Sequence, residues 1–202
     1  MPIIQRHFFI ALVLSLSFLT ASAFGQTLNE NFDELAPLLT ATSAGAFSTI
    51  NGTNVDIVGD GNYGFLCVAP ESGNCIDMNG SGGNPQGQLQ SNTAFAPGTY
   101  LLSFDLIGDG RGSTAGVTAS FGNYDQTVTL ASSDVTSGIL IYQLVTVSGS
   151  PSHLLFVSNV GGNVGLLLDN VSVSATPEAS TLLLFGTGLL GLALLTQRRL
   201  IH

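Results

Sequence analysis

The sequence predicts an all-β fold, an antiparallel β-sandwich flanked by two targeting segments. Three observations carry this. Between residues 24 and 176, short runs rich in Val, Ile, Leu, Thr, Tyr and Phe are separated by Gly, Asn, Asp, Ser and Pro, the punctuation expected of many short strands. Several of these runs alternate apolar and polar at period two, as a strand with one buried face does. No exported stretch sustains the 3.6-residue apolar period of a helix.

The chain opens on a predicted secretory signal peptide, Met1 to Ala23. Arg6 and His7 close a basic start, Phe8 to Leu19 form the apolar run, and Ala21-Ser22-Ala23 is an A-x-A cleavage site. The apolar run is short for a transmembrane helix and small residues follow it at once. Cleavage after Ala23 leaves an exported domain, 24–176, of ordinary single-domain size.

Ten or so short strands are expected within it. Leu28 to Phe32, Phe47 to Ile50 and Asn54 to Val58 come first, then Gly87 to Gln90. In Tyr100 to Ile107, Tyr100, Leu102, Phe104 and Leu106 fall on one face, with Ser103 and Asp105 on the other. Val117, Ala119 and Phe121 alternate with Thr118 and Ser120. Ile139 to Val147 and Leu154 to Val157 are apolar on both faces, which predicts central strands. Gly59-Asp60-Gly61 and Gly108-Asp109-Gly110 are turn sequences, so Asp105 with Asp109, and Asp56 with Asp60, are expected as surface acids. Such spacing argues a sandwich or barrel.

Cys67 and Cys75 are the only cysteines and close a short loop containing Pro70 and Gly73-Asn74. In an exported chain, an even pair this close predicts a structural disulfide. Tyr63 and Tyr124 each follow Asn in a loop, Gly61-Asn62-Tyr63-Gly64 and Gly122-Asn123-Tyr124-Asp125. They are the candidate glycan-binding residues: a ring face to stack on a sugar, with Asn and Asp beside it to hydrogen-bond.

The last exported strand, Gly165 to Ser174, changes phase. Leu166 and Leu168 are apolar at even positions, Val171 and Val173 at odd ones. Either a β-bulge sits at Asp169-Asn170, or Asp169 points inward. An inward carboxylate needs a partner, either Arg111 or a bound cation.

After Pro177-Glu178-Ala179-Ser180-Thr181 comes an apolar run, Leu182 to Leu195, and then Arg198 and Arg199. This predicts a transmembrane helix over 180–197 with a basic tail. Arginines beside a span stay cytoplasmic, so everything before Pro177 lies outside. The run is about 14 residues, or roughly 21 Å of helix, thin against a hydrocarbon core of about 30 Å. Gly186-Thr187-Gly188-Leu189-Leu190-Gly191 fits G-x-G-x-x-G, but a dinucleotide site needs a preceding strand and a following βαβ unit that this place in the chain lacks.

That ending resembles the PEP-CTERM sorting signal of Gram-negative bacteria, with Ala179 where the family name has its second proline. The resemblance implies recognition by exosortase, a membrane protease-transpeptidase of bacteria that make exopolysaccharide. It implies a protein held in the inner membrane with its domain in the periplasm, then released to the cell surface or extracellular matrix. Proline keeps the recognised segment out of helix. A second resemblance joins Asn29-Glu30-Asn31-Phe32 and Leu166 to Val173 to the terminal strands of galactose-binding-like jelly rolls, many of them carbohydrate-binding modules. It implies a jelly-roll sandwich and a structural calcium site, with Glu30 and Asp169 as oxygen ligands; hard oxygen donors suit Ca²⁺.

Composition narrows the function. Across 24–176 there are twelve carboxylates and one basic side chain, Arg111. Nucleic acid and anionic membrane surfaces are poor partners for such a domain. His153 is its single histidine, and neither H-E-x-x-H nor G-x-S-x-G occurs. The reading is therefore a non-catalytic surface or matrix protein with a structural, adhesive or carbohydrate-binding role. The alternative is a secreted polysaccharide hydrolase acting through a carboxylate pair that only the fold would bring together.

Overall fold

The computed structural model describes residues 26–59, 67, 73–82, 86–111, 114–135, 138–176 and 186–189. Gln26–Ala175 form one compact unit. A second unit groups Met1–Gly25 with Thr176–His202. Of that second unit only Thr176 and a helical stretch, 186–189, are described. The signal peptide, Pro177 to Thr181, Arg198 and Arg199 lie outside the described residues, as does most of the predicted span. Among the described residues no helix is long and apolar enough to cross a membrane.

The unit Gln26–Ala175 is all β, as expected. Its strands are β1 (Thr27–Glu30), β2 (Leu38–Ala41), β3 (Ser43–Ala44), β4 (Phe47–Thr49), β5 (Val55–Gly59), β6 (Asn74–Asp77), β7 (Gln88–Ser91), β8 (Gly98–Ile107), β9 (Thr114–Phe121), β10 (Tyr124–Ala131), β11 (Ile139–Val147), β12 (Leu155–Ser158) and β13 (Leu167–Ala175). They form two antiparallel sheets. One runs β11-β8-β13-β6-β5-β2, with β1 also paired to β13; the other runs β10-β9-β12-β7-β4-β3. Sequence reading missed β2, β3, β6 and β10.

The core fills the space between the sheets. Leu102, Phe104, Leu106, Val171 and Val173 come from one sheet, and Phe47, Leu89, Val117, Phe121 and Phe156 from the other. Phe156 lies at the centre of an aromatic chain, with its ring 5.0 Å from Phe104 and 6.1 Å from Phe47. Edge-to-face and tilted rings add to burial, which is worth about 1.5–3 kcal/mol for a large apolar side chain.

A bulge resolves the phase slip in β13. The β13–β8 register shifts between Asp169 and Ser172, and Asn170 takes a left-handed φ of 50°. The extra residue lets Leu168 and Val171 both face the core although they are three apart.

Two expectations need correction. β11 is not central; it is the free edge of its sheet, while β12 is central between β9 and β7. Apolar residues on both faces of β11 therefore leave Leu140, Tyr142 and Leu144 at 62%, 63% and 65% exposure. Asp56 and Asp109 are buried, not surface acids. Asp56 accepts the amides of Thr40 at 2.7 Å and Ser81 at 3.0 Å, and Asp109 accepts Arg111 Nε at 2.9 Å. Full hydrogen bonding is what makes a buried carboxylate tolerable.

Candidate functional site

The two sheets have neighbouring free edges, β10 and β11, consecutive in the chain. Between them opens a shallow groove of about 600 Å³. Tyr124, Gln126 and Val128 line it from β10; Leu140, Ile141, Tyr142 and Gln143 line it from β11. Strand alternation accounts for Gln126, Val128, Ile141 and Gln143, whereas Thr127, Leu140 and Tyr142 have the opposite parity and belong to the outer faces of their strands. On β10, Gln126 and Val128 share a face with buried Leu130; on β11, Ile141 and Gln143 share one with buried Val145 and Val147. These positions look into the sandwich, yet Gln126 and Gln143 are exposed. Amides stand where a sealed edge would place apolar side chains.

One end of the groove is tied shut. Asn123, in the β9–β10 turn, donates its amide to Thr146 O at 3.0 Å, and Thr146 N donates to Asn123 Oδ1 at 2.8 Å. This clasp links the β10 turn to β11 and sets the separation of the walls. Tyr124 follows directly and packs its ring against the core. Desolvation there pushes its phenol above the usual range. Tyr142, on the opposite wall, is open to solvent. The groove thus offers two rings, two amides that both donate and accept, and Thr127. Such a surface suits a hydroxyl-rich chain with apolar C–H faces.

Of the sequence candidates, Tyr124 lies in this groove and Tyr63 lies outside the described residues. Tyr142, Gln126 and Gln143 were missed because β10 was not read as a strand and β11 was read as central. The disulfide is present, with Cys67 and Cys75 Cα atoms 5.6 Å apart. It packs with Val58, Ile107 and Leu167 in a second small cluster.

Glu30 accepts Phe32 N at 3.1 Å and Ala46 N at 2.7 Å. Asp169 accepts Asn170 N at 2.7 Å. The β1–β13 register places Glu30 opposite Val171, two residues from Asp169. Glu30 uses two of roughly four acceptor sites in these bonds, so capacity for a cation remains. Among the described residues no group of three or more His, Cys, Asp or Glu is gathered; further ligands for calcium would have to be carbonyls or water.

Arg111 forms ion pairs with Asp77 and Asp109. Asp77 is fully buried. Burial lifts its pKa to about 7, against lowering by the Asn79 amide and by Arg111, with Asp56 adding a smaller upward push. A raised carboxyl beside a second carboxylate has the chemistry of a general acid, but this one is enclosed and bonded, as a structural strut is.

Residues 175–199 match the PEP-CTERM protein-sorting motif. The chain carries that sorting motif. The match begins at Ala175, the last residue of β13, so the final strand runs directly into the sorting motif. No curated protein sequence matches the chain. Among solved structures, the CBM22-1 xylan-binding domain of Paenibacillus barcinonensis Xyn10C is similar, with a TM-score of 0.53 at 12% identity, covering 79% of this chain and 100% of that one. A family 35 carbohydrate-binding module from Clostridium thermocellum aligns at TM-score 0.44 and 8% identity over 75% and 99% of the two chains. The K3 adhesin domain of Lys-gingipain from Porphyromonas gingivalis aligns at 0.47 and 17% over 75% and 100%. The first of these shows that the sandwich shares the fold of a carbohydrate-binding module.

Proposed function

We propose that this is an exported, non-catalytic polysaccharide-binding protein of the cell surface or exopolysaccharide matrix. The supporting observation is the groove between the free edges of β10 and β11, with Tyr124 and Tyr142 on opposite walls and Gln126 and Gln143 facing in. The sorting motif supports an exported, surface-directed chain. Its delivery would use signal peptide 1–23, a temporary inner-membrane helix at 180–197, and processing by exosortase. The xylan-binding domain of like fold supports a glycan ligand, and the aromatic and amide lining supports the same choice independently. Calcium at Glu30 and Asp169 belongs to this reading as a structural ion, supported by the β1–β13 register. Native affinity electrophoresis through a panel of soluble polysaccharides tests the function. Retardation by at least one polymer, reduced in Tyr142→Ala, is expected; full mobility in every gel would reject it.

A further inference from the structure

Proteins normally blunt the free edges of their sheets with charge, proline, bulges or brevity. Three edges here follow that rule: β2 breaks register between Leu38 and Ala41, β3 has two residues, and β10 carries Asp125. The edge at β11 does not. Its register with β8 runs unbroken from Ile139 to Val147, and those nine residues include no charge and no proline. In an antiparallel ladder the N–H and C=O of one residue point the same way, and successive residues alternate. Both backbone groups of Thr146 point away from β8, to Asn123. Those of Leu140, Tyr142 and Leu144, at even steps from Thr146, therefore point outward too, and no strand lies beyond them among the described residues. Their side chains form an exposed apolar row on the outer face.

We propose that β11 is a pairing edge for a second copy of this chain, joined antiparallel about a two-fold axis at Tyr142. The outward rungs read Leu140, Tyr142, Leu144, the same in either direction, so the edge is complementary to itself. The axis sets the two Tyr142 residues side by side and each Leu140 beside the other copy's Leu144. All three rungs close, each exchanging two main-chain hydrogen bonds, and the Asn123 clasp on Thr146 ends the ladder. Charge permits the contact. Asp105, across from Leu140 on β8, is carried to opposite ends of the pair, and strand spacing and rise put its two copies roughly 20 Å apart. That exceeds the screening length of about 8 Å at physiological salt. Such a contact is isologous and closes on itself. It is smaller than the roughly 1,200 Å² of a standard stable interface, so the dimer depends on concentration.

Sedimentation of the purified full-length protein in one detergent, with no polysaccharide present, reads this association apart from any binding in the groove. The mass should rise toward twice that of the monomer between about 1 μM and about 1 mM. Added salt should move the rise to lower protein concentration, since screening relieves the repulsion between two acidic domains. Leu144, which does not line the groove, carries the decisive variants. Leu144→Pro deletes an outward N–H and no bond to β8; Leu144→Glu turns a carboxylate toward the other copy's Asp105. Each should raise the dimer Kd about tenfold or more, with the melting curve at low concentration showing the fold intact. Tyr142→Cys supplies the only free thiol, because Cys67 and Cys75 are bridged. It should cross-link to itself when oxidised with diamide, whereas Leu38→Cys on the opposite edge should not. A monomer at every concentration leaves the edge to another occupant and overturns the proposal. So do growth past the dimer, association that both Leu144 variants leave unchanged, and equal cross-linking of the two cysteine variants. None of these outcomes bears on whether the groove binds a glycan.

Discussion

Glu30 and Ala46 join the two sheets: the Glu30 carboxylate on β1 accepts the Ala46 amide, in the β3–β4 turn of the opposite sheet, at 2.7 Å. Its other oxygen holds the amide of Phe32, whose left-handed φ of 59° turns the chain out of β1. Gly45 makes room for this, since a Cβ there would lie 2.0 Å from Glu30 Oε2.

Glu30→Ala should therefore cost about 2–3 kcal/mol, as loss of a charged acceptor serving two amides does. Gly45→Ala should cost a similar amount, because it displaces the same carboxylate and strains a φ of 56°. The double variant should cost clearly less than the sum, since both substitutions break one interaction. Urea unfolding of the three variants checks this; additive losses would show that the two residues act separately.

The Asp77–Arg111 strut predicts a pH dependence. The Asp77 pKa is raised from 3.8 to about 7 by burial, so the folded state holds this proton more tightly than the unfolded chain. Its stabilising contribution is full below about pH 4 and is lost as pH rises through about 7. Asp77→Asn keeps the shape without the titration. The melting temperature of the wild type minus that of Asp77→Asn should thus fall between pH 4 and pH 7. A difference that is flat or rises with pH would contradict the assignment.

These two struts also mark where the sequence stops being informative. β8 was legible because Tyr100, Leu102, Phe104 and Leu106 alternate within one run, and the β13 bulge because its phase breaks at Asp169. Compartment and spacing made the Cys67–Cys75 bridge readable. Alternation names a strand's faces but not its neighbours. Ile139 to Val147 looks central by composition, and only pairing with β8 alone makes it an edge. The glutamines of the groove lie on different sheets and signal nothing singly. Arg111 meets Asp77 across 34 residues, a pairing set by topology.

Calcium has its own check. If Glu30 and Asp169 share an ion, chelation should lower the thermal midpoint and added Ca²⁺ should restore it. The gain is RT ln(1 + [L]/Kd), about 2.7 kcal/mol at a hundredfold excess over Kd. Asp169→Ala should lose this response. A midpoint indifferent to chelator rejects the ion and leaves Asp169 as a bulge residue bonded to Asn170 N.

Sorting is checked by intact mass. In a host with exosortase the released protein should lack the C-terminal segment; without the enzyme the full chain should stay in the inner membrane. Replacing Pro177 and Glu178 by alanine should block processing but not insertion, which depends on Leu182 to Leu195. Replacing Arg198 and Arg199 by glutamate should disturb orientation. A released product extending through His202 would mean that the tail is only an anchor.

The groove itself is tested most directly by titrating a polysaccharide that retards the wild type into wild type, Tyr142→Ala and Leu38→Ala. Leu38 is an apolar residue on β2, 54% exposed against 63% for Tyr142, at the far edge of the same sheet. The account predicts that Tyr142→Ala weakens binding about tenfold or more, the worth of a well-stacked ring, while Leu38→Ala binds as the wild type does. Undiminished binding by Tyr142→Ala, or an equal loss in Leu38→Ala, would contradict it.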